Sequence, residues 1–195
     1  PDIFLKKTSH FKNFISQDSK IISCMAGIKL ITICNNLGHK NVIRIMPNVM
    51  AKQNKSQTFV FAKNKKFLNR SFDKLIKSFG SVHYTSNEDQ INIVTSIFGS
   101  GPAFIAYLIK SYIEAAKNLS KKNQLKDIDL MNLFHNVLSA NENSKDLDFF
   151  LNSIASKKGT TQAGVNFLKS QNINKIIYTT LDRAYKRAKE IGIEK

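Results

Sequence analysis

A change of periodicity near residue 87 limits this chain to few architectures. Before it, β-rich runs alternate with helical stretches: residues 20–25, 41–46, 58–62 and 81–84 read as strands, and 1–16, 27–37 and 66–79 as helices, with Gly38 and Gly80 as C-terminal stops. From Glu88 onward strand signals cease, and helices are expected over 88–98, 127–140, 146–154, 161–170 and 173–191, with a polar loop at 142–144. The near-continuous apolar strands imply a sheet covered on both faces. The fold class expected is therefore α/β plus all-α, half of a doubly wound sheet over 1–87 followed by a helical domain over 88–195.

The junction between the two parts is Gly99-Ser100-Gly101-Pro102, which opens a long helix. Gly99 and Gly101 lack a Cβ and are expected to let neighbouring elements approach closely, while Pro102 suits a first helical turn. Behind them Phe104, Tyr107, Leu108, Ser111, Tyr112, Ala115 and Leu119 recur at helical spacing, which predicts one continuous buried face. The last helix carries Ile173, Ile176, Ile177, Leu181, Ala188 and Ile191 on one side, and Asp182 and Lys186 at i,i+4 on the other. Helices this long and apolar point to a second copy of the chain as the covering surface, a homodimer or higher homo-oligomer.

Lys and Arg outnumber Asp and Glu by 30 to 14, a net charge of +16. Lys6, Lys7, Lys63, Lys65, Lys66, Lys121 and Lys122 are scattered, with no aromatic residues interleaved to stack bases, so the excess argues for attraction of small anions rather than for nucleic acid. A basic helical nucleic-acid binder stays open as the alternative from another class. Cys24 and Cys34 form no Cys-x-x-Cys pattern and His10, His39, His83 and His135 are dispersed, which predicts reduced thiols, a cytoplasmic setting and no metal site. No run of 18 apolar residues is present, so no membrane span is expected, and no signal peptide is visible.

Three loops fall where chemistry is plausible. Ser23-Cys24-Met25-Ala26-Gly27 and Met46-Pro47-Asn48 follow strands, where open α/β sheets bind ligands, and the small Ala26 and Gly27 would let a flat ring lie against the backbone. An ordinary connecting turn would look the same. In Ser156-Lys157-Lys158-Gly159-Thr160-Thr161, backbone N–H groups, two hydroxyls and a helix N-terminus converge where a carboxylate would be held; the plainer alternative is that Thr160 or Thr161 caps the helix.

Taken in order, Pro1-Asp2, Ser23 to Gly27, Arg44-Ile45-Met46-Pro47-Asn48, Val94-Thr95 with Gly99 to Phe104, Ser156 with Gly159-Thr160-Thr161, and Ala184-Tyr185-Lys186-Arg187 resemble the pyrroline-5-carboxylate reductase family over nearly the whole chain. The resemblance implies a Rossmann domain binding NADPH or NADH, a helical domain that dimerises, and hydride transfer to the imine carbon of 1-pyrroline-5-carboxylate to give L-proline, with the substrate site near the subunit interface. It further implies that Cys24, Met25, Ala26, Gly27, Pro47 and Asn48 face the cofactor, Ala26 lying against the nicotinamide. Glu88, Ser153, Ser156, Gly159, Thr160 and Thr161 would surround the substrate, with the Thr161 hydroxyl reaching the ring nitrogen as the catalytic group.

The sequence also departs from the family. No G-x-G-x-x-G occurs, and the opening residues read as the middle of an α/β unit, so the chain is expected to be a fragment that lacks the phosphate-binding turn and has no appreciable activity by itself. A decayed remnant that still dimerises is the alternative. Lys157 and Lys158 stand where the family has proline and glycine; if that glycine position needs φ > 0, Lys158 is strained by about 1 kcal/mol.

Overall fold

The computed structural model describes residues 1–120, 125–141 and 147–192. The expected loop at 142–144, the start of the helix expected at 146, and Lys121 and Lys122 lie outside the described residues.

The chain forms two compact units, Pro1–Pro102 together with the stretch from Thr180 onward, and Ala103–Thr179. The first unit holds a four-stranded sheet of order β1-β2-β3-β4, with β1 at Ile21–Ser23, β2 at Val42–Met46, β3 at Ser56–Phe61 and β4 at Gly80–Thr85. All four strands occur where the sequence places them. β1 and β2 run parallel, with Ser23 opposite Arg44, as do β3 and β4, but β2 and β3 are antiparallel. Within the expected doubly wound half-sheet, that reversal turns the second pair of strands against the first. Residues 47–55 hold only a single 3₁₀ turn, Val49–Gln53, too short a connection for a parallel crossover.

β2 is buried along its whole length, whereas β3 alternates buried and half-buried residues and β4 is half-exposed. Only the middle of the sheet is therefore covered on both faces. Helix α3 (Leu30–Leu37) packs Leu30, Ile33 and Leu37 on one side, ending at Gly38 in the left-handed conformation. Helix α4 (Arg70–Lys77) places Phe72 and Ile76 against Ile43, Ile45 and Val60 on the other. The helix expected over 1–16 is two short ones, α1 (Asp2–Lys6) and α2 (Thr8–Lys12), broken at Lys7. Gly80 does not stop α4, which ends at Lys77; it opens β4 at φ +135, where a Cβ would collide with the Ser56 backbone.

Helix α5 (Gln90–Val94) inserts Ile91 and Val94 beside Met46, with Ala26 and Phe98 packed on the same cluster. It runs through a π-turn, Thr95–Gly99, into α6 (Gly101–Leu119). The Ser100 N–H donates to the Thr95 carbonyl at 2.9 Å, and the Thr95 and Ser96 hydroxyls donate back to Ile91 and Ile93, which favours the widened turn. Gly99 and Gly101 make no close approach: a Cβ on Gly101 would meet nothing within 4 Å, and one on Gly99 only ordinary contacts. Within the helical run Gln90–Leu119 an 18-residue window reaches a mean hydropathy of 1.4, enough by length and composition for a membrane-crossing helix, which the search for an uninterrupted apolar run does not reveal. Part of that apolarity serves the sheet core through Ile91 and Val94.

The second unit contains most of α6, then α7 (Asp127–Ala140), α8 (Leu147–Ile154), α9 (Thr160–Ser170) and the start of α10 (Ile173–Ile191). Among the described residues its predicted buried face on α6 is left open: Tyr107 is 69% exposed and Leu119 85%. Leu130 is the buried hydrophobic of this unit among the described residues, while Leu138, Phe149 and Phe167 are open. Helical periodicity identifies an apolar stripe but not the surface that covers it. The expected pair forms on α10, with Lys186 Nζ 2.7 Å from Asp182.

Candidate active site

Because β1 and β2 are parallel and in register, the loops that leave their carboxyl ends, 24–27 and 47–48, emerge at one edge of the sheet. Cys24 is exposed, Met25, Ala26, Pro47 and Asn48 are half-buried and Gly27 is buried. Although Cys24 is exposed as a residue, desolvation around its sulfur raises the thiol pKa, which leaves it neutral rather than nucleophilic near pH 7. The Asn48 side-chain oxygen accepts from the Met50 N–H at 3.0 Å and so begins the 3₁₀ turn, while its own N–H donates to the buried Ser56 hydroxyl at 3.0 Å. Asn48 thus fixes the path of the chain past the sheet edge.

Gly27 is held from another direction. It adopts φ +77, and a Cβ there would fall 2.8 Å from the Gly192 nitrogen, 3.2 Å from Ile191 Cβ and closer still to the Ala188 carbonyl oxygen. The end of α10 therefore rests directly on the loop. Ile28, fully buried, anchors the next residue. Sequence reading marks Gly27 as permissive toward a flat ring; the structure shows that its missing Cβ is required by the C-terminal helix.

Glu88 lies in the first unit and meets two groups there. One carboxylate oxygen accepts from the Leu30 N–H at 2.6 Å and from Arg44 Nη1 at 2.7 Å. Arg44, in the middle of β2, is 1% exposed. Its Nη2 also donates to the Met25 carbonyl across a long 3.4 Å. Sequence reading quotes Arg44 in a motif without giving it a role. The available signal is a cation inside an apolar strand, which requires a buried partner.

The remaining candidates belong to the second unit. Ser156 to Gly159 form a tight turn in which the Gly159 N–H donates to the Ser156 carbonyl at 3.0 Å and Lys158 takes φ +61. The left-handed requirement expected at this position is real, and a lysine fills it. A Cβ on Gly159 would collide with the Ser156 hydroxyl. Gly159 is itself the N-cap of α9, and no side chain caps that helix, so neither Thr160 nor Thr161 performs the capping role considered from sequence. Thr160 is exposed and Thr161 half-buried in the first turn. The first N–H with an intrahelical acceptor is that of Ala163, donated to Gly159 at 3.1 Å, which leaves the earlier amides directed out of the helix start. Ser153 is exposed on α8 and its hydroxyl donates to the Phe150 carbonyl at 2.7 Å.

A cavity of about 850 Å³ beside Gly38, Lys40, Lys63 and Phe67 contains none of these candidates; it lies near the start of β2 rather than its carboxyl end.

Comparisons with known proteins bear on the whole chain. The pyrroline-5-carboxylate reductase dimerisation family matches residues 88–191. A pyrroline-5-carboxylate reductase of Staphylococcus aureus (strain COL) is 35% identical over 98% of this chain and 72% of its own length. The 1-pyrroline-5-carboxylate reductase of Streptococcus pyogenes superposes with a TM-score of 0.82 at 26% identity, over 97% of this chain and 73% of that one. The pyrroline carboxylate reductase of Plasmodium falciparum, solved with NADP bound, shares the fold at a TM-score of 0.82 and 24% identity, over 98% of this chain and 74% of that one. With a dimerisation match over more than half its residues and 33–35% identity to curated relatives over 98% of its own length, the chain belongs to the pyrroline-5-carboxylate reductase family.

Proposed function

We propose that this chain carries the substrate-binding and nicotinamide-facing parts of an NAD(P)H-dependent reductase that converts 1-pyrroline-5-carboxylate to L-proline. The observation that carries the reading is the start of α9, where Gly159 is the N-cap, no side chain occupies the cap, and two threonines follow. Outward amides and the positive end of an 11-residue helix suit a carboxylate. The substrate carboxylate binds there, steadied by Ser153 and Ser156 as polar neighbours and by Gly159 and Thr160 through their backbone. The Thr161 hydroxyl donates to the imine nitrogen and so makes the C=N carbon more electrophilic. Nitrogen takes up a proton as that carbon is reduced, which needs one well-placed hydroxyl and exclusion of water rather than a metal or covalent nucleophile.

The first unit suits the nicotinamide end of NADPH or NADH. Ala26 offers a small half-buried surface, backbone groups gather at the carboxyl ends of two parallel strands, and residues 24–27, 47 and 48 bear no charge. Bound reduced nicotinamide supplies the hydride. Cys24, Met25, Ala26, Gly27, Pro47 and Asn48 orient the ring and shield it from water. No glycine-rich turn for the pyrophosphate occurs in the 195 residues, so these residues alone are proposed to turn over little. Residues 1–87 serve the cofactor and 88–195 the substrate and dimerisation. A second copy covers the open apolar faces of α6 to α9, and the protein works in the cytoplasm.

The test is 1-pyrroline-5-carboxylate-dependent NAD(P)H oxidation by the full-length gene product, alongside the 195-residue chain. Thr161→Ala is expected to lower kcat about 100-fold, in the range of a lost acid–base contact. Unchanged turnover would remove Thr161 from the mechanism, and a full-length product without activity would refute the assignment.

A further inference from the structure

The loop proposed to face the nicotinamide is not rigid by its own sequence. Residues 24–29 include Ala26 and Gly27, and Lys29, the N-cap of α3, provides no side-chain cap. The first turn of that helix therefore depends on an acceptor from elsewhere. It comes from Glu88, 58 residues away, whose Oε1 lies 2.6 Å from the Leu30 nitrogen. The same oxygen accepts from Arg44 Nη1 at 2.7 Å, and the other terminal nitrogen of that guanidinium reaches back to the Met25 carbonyl. One carboxylate and one guanidinium thus hold both ends of the loop, Met25 at its start and Leu30 at its finish.

Two further observations make this a device rather than an incidental ion pair. Arg44 is 1% exposed, while the Glu88 side chain is 22% exposed, so the pair spans from the sheet interior toward solvent. A buried cation is held firmly only where its partner and hydrogen bonds are complete. β2 also places Arg44 directly opposite Ser23, the last residue before the loop. Movement of the carboxylate would therefore reach Met25 and Leu30 together.

We propose that Glu88 and Arg44 are positioning residues for the cofactor-facing loop: Glu88 holds the guanidinium and the start of α3 in place, and the pair sets the height of Met25–Gly27 at the sheet edge. This rests on the cofactor reading above for its kinetic consequence, though not for its geometry. It also gives Glu88 a different task from the substrate contact that the family resemblance implies. The carboxylate acts on the ring through the loop, and the substrate is held elsewhere.

The experiment uses Glu88→Gln, Arg44→Lys and the double variant in the full-length gene product. Gln keeps the shape and an acceptor for the Leu30 N–H but removes the charge; Lys keeps a cation but cannot bridge Glu88 and Met25. The single variants are expected to raise KM for the nicotinamide cofactor about 10-fold and lower kcat, with KM for 1-pyrroline-5-carboxylate within about twofold of the parent. The double variant should resemble the worse single, since the two residues act as one unit. Amide hydrogen exchange on the cofactor-free protein supplies the second readout: Leu30 and the loop amides are expected to exchange about 10-fold faster in Glu88→Ala, which removes the acceptor altogether, with α4 and β3 unchanged. A selective rise in KM for the pyrroline substrate, with cofactor KM unmoved, would overturn the proposal in favour of direct substrate contact, as would unaltered loop exchange. A parent protein that binds no pyrroline substrate defeats the functional reading alone, and exchange then decides the positioning claim.

Discussion

Replacing Gly27 with alanine separates two costs that glycine substitutions usually combine. Gly27 and Gly38 both adopt left-handed backbone, φ +77 and φ +66, so an added Cβ is strained at either site by about 1–2 kcal/mol. Their surroundings differ completely. A Cβ at Gly38 meets nothing within 4 Å, whereas at Gly27 it is driven into backbone atoms at the end of α10, with the Gly192 nitrogen at 2.8 Å. A backbone carbonyl cannot rotate away as a side-chain tip can, so either the loop or the helix end must move, an overpacking cost of about 1–3 kcal/mol. Gly38→Ala is therefore expected to lose about 1 kcal/mol after the smaller entropy of the unfolded alanine chain is allowed for, and Gly27→Ala, with the same allowance, about 2–4 kcal/mol.

The assay is urea unfolding followed by far-ultraviolet circular dichroism, since the chain has no tryptophan. Gly192→Ala supplies the reciprocal measurement: its Cβ would lie 2.9 Å from the Gly27 carbonyl carbon without a left-handed backbone, so only the overpacking portion, about 1–3 kcal/mol, should be lost. Combined with Gly27→Ala it should add less than its separate cost, because both disturb one contact. If Gly27→Ala and Gly38→Ala cost the same within about 0.5 kcal/mol, the close seating of α10 on the loop is wrong and the reasoning fails.

Lys158 stands at φ +61 in the turn before α9, so Lys158→Gly should raise stability by about 1 kcal/mol, read as an upward shift in the urea midpoint; an unchanged or lower midpoint would show that the lysine is not strained. Tyr84 offers a test against pH: desolvation, then its hydrogen bond and charge interaction with Asp73, push its pKa up to about 12. The fold thus favours the neutral phenol over an unfolded value near 10. Its stabilisation is complete below about pH 10 and is lost as pH rises toward about 12, so Tyr84→Phe should flatten the alkaline loss of stability relative to the parent. Identical alkaline slopes would refute that assignment.

The strands were legible because apolar runs between turn residues leave few alternatives, and β2 in particular shows Val42, Ile43, Ile45 and Met46 around a single charge. Their direction was not. The run at 56–61 reads equally well either way, and the antiparallel pairing depends on the short connection 47–55, where the Asn48 cap shapes a 3₁₀ turn instead of a crossover helix. The candidate loops were legible as motifs, and a left-handed demand at residue 158 could be stated beforehand only as a condition, from the glycine that the resembling family carries there. The capping question at α9 needed coordinates, because Gly, Thr and Thr in succession offer three places to begin the helix and only the backbone torsions choose Gly159.

What sequence could not supply were contacts between residues far apart in the chain, and those contacts govern the candidate site. Gly99 and Gly101 draw attention because two glycines flank a helix start, yet one has open space around it and the other only ordinary contacts. The pair that truly needs its hydrogens, Gly27 and Gly192, is separated by almost the whole chain, and no local pattern marks the second member. Glu88 reads locally as an acidic residue before a helix; only the fold brings it to Leu30 and Arg44. The loop at 24–29 is therefore fixed by three remote elements, β2, the approach to α5 and the end of α10, and a substitution in any of them should be felt first in the loop. The exposed stripe on α6 obeys the same logic one level up. Tyr107, Leu108 and Tyr112 have the spacing of a buried face, yet among the described residues all three stay exposed, because periodicity marks a stripe without naming the surface that covers it.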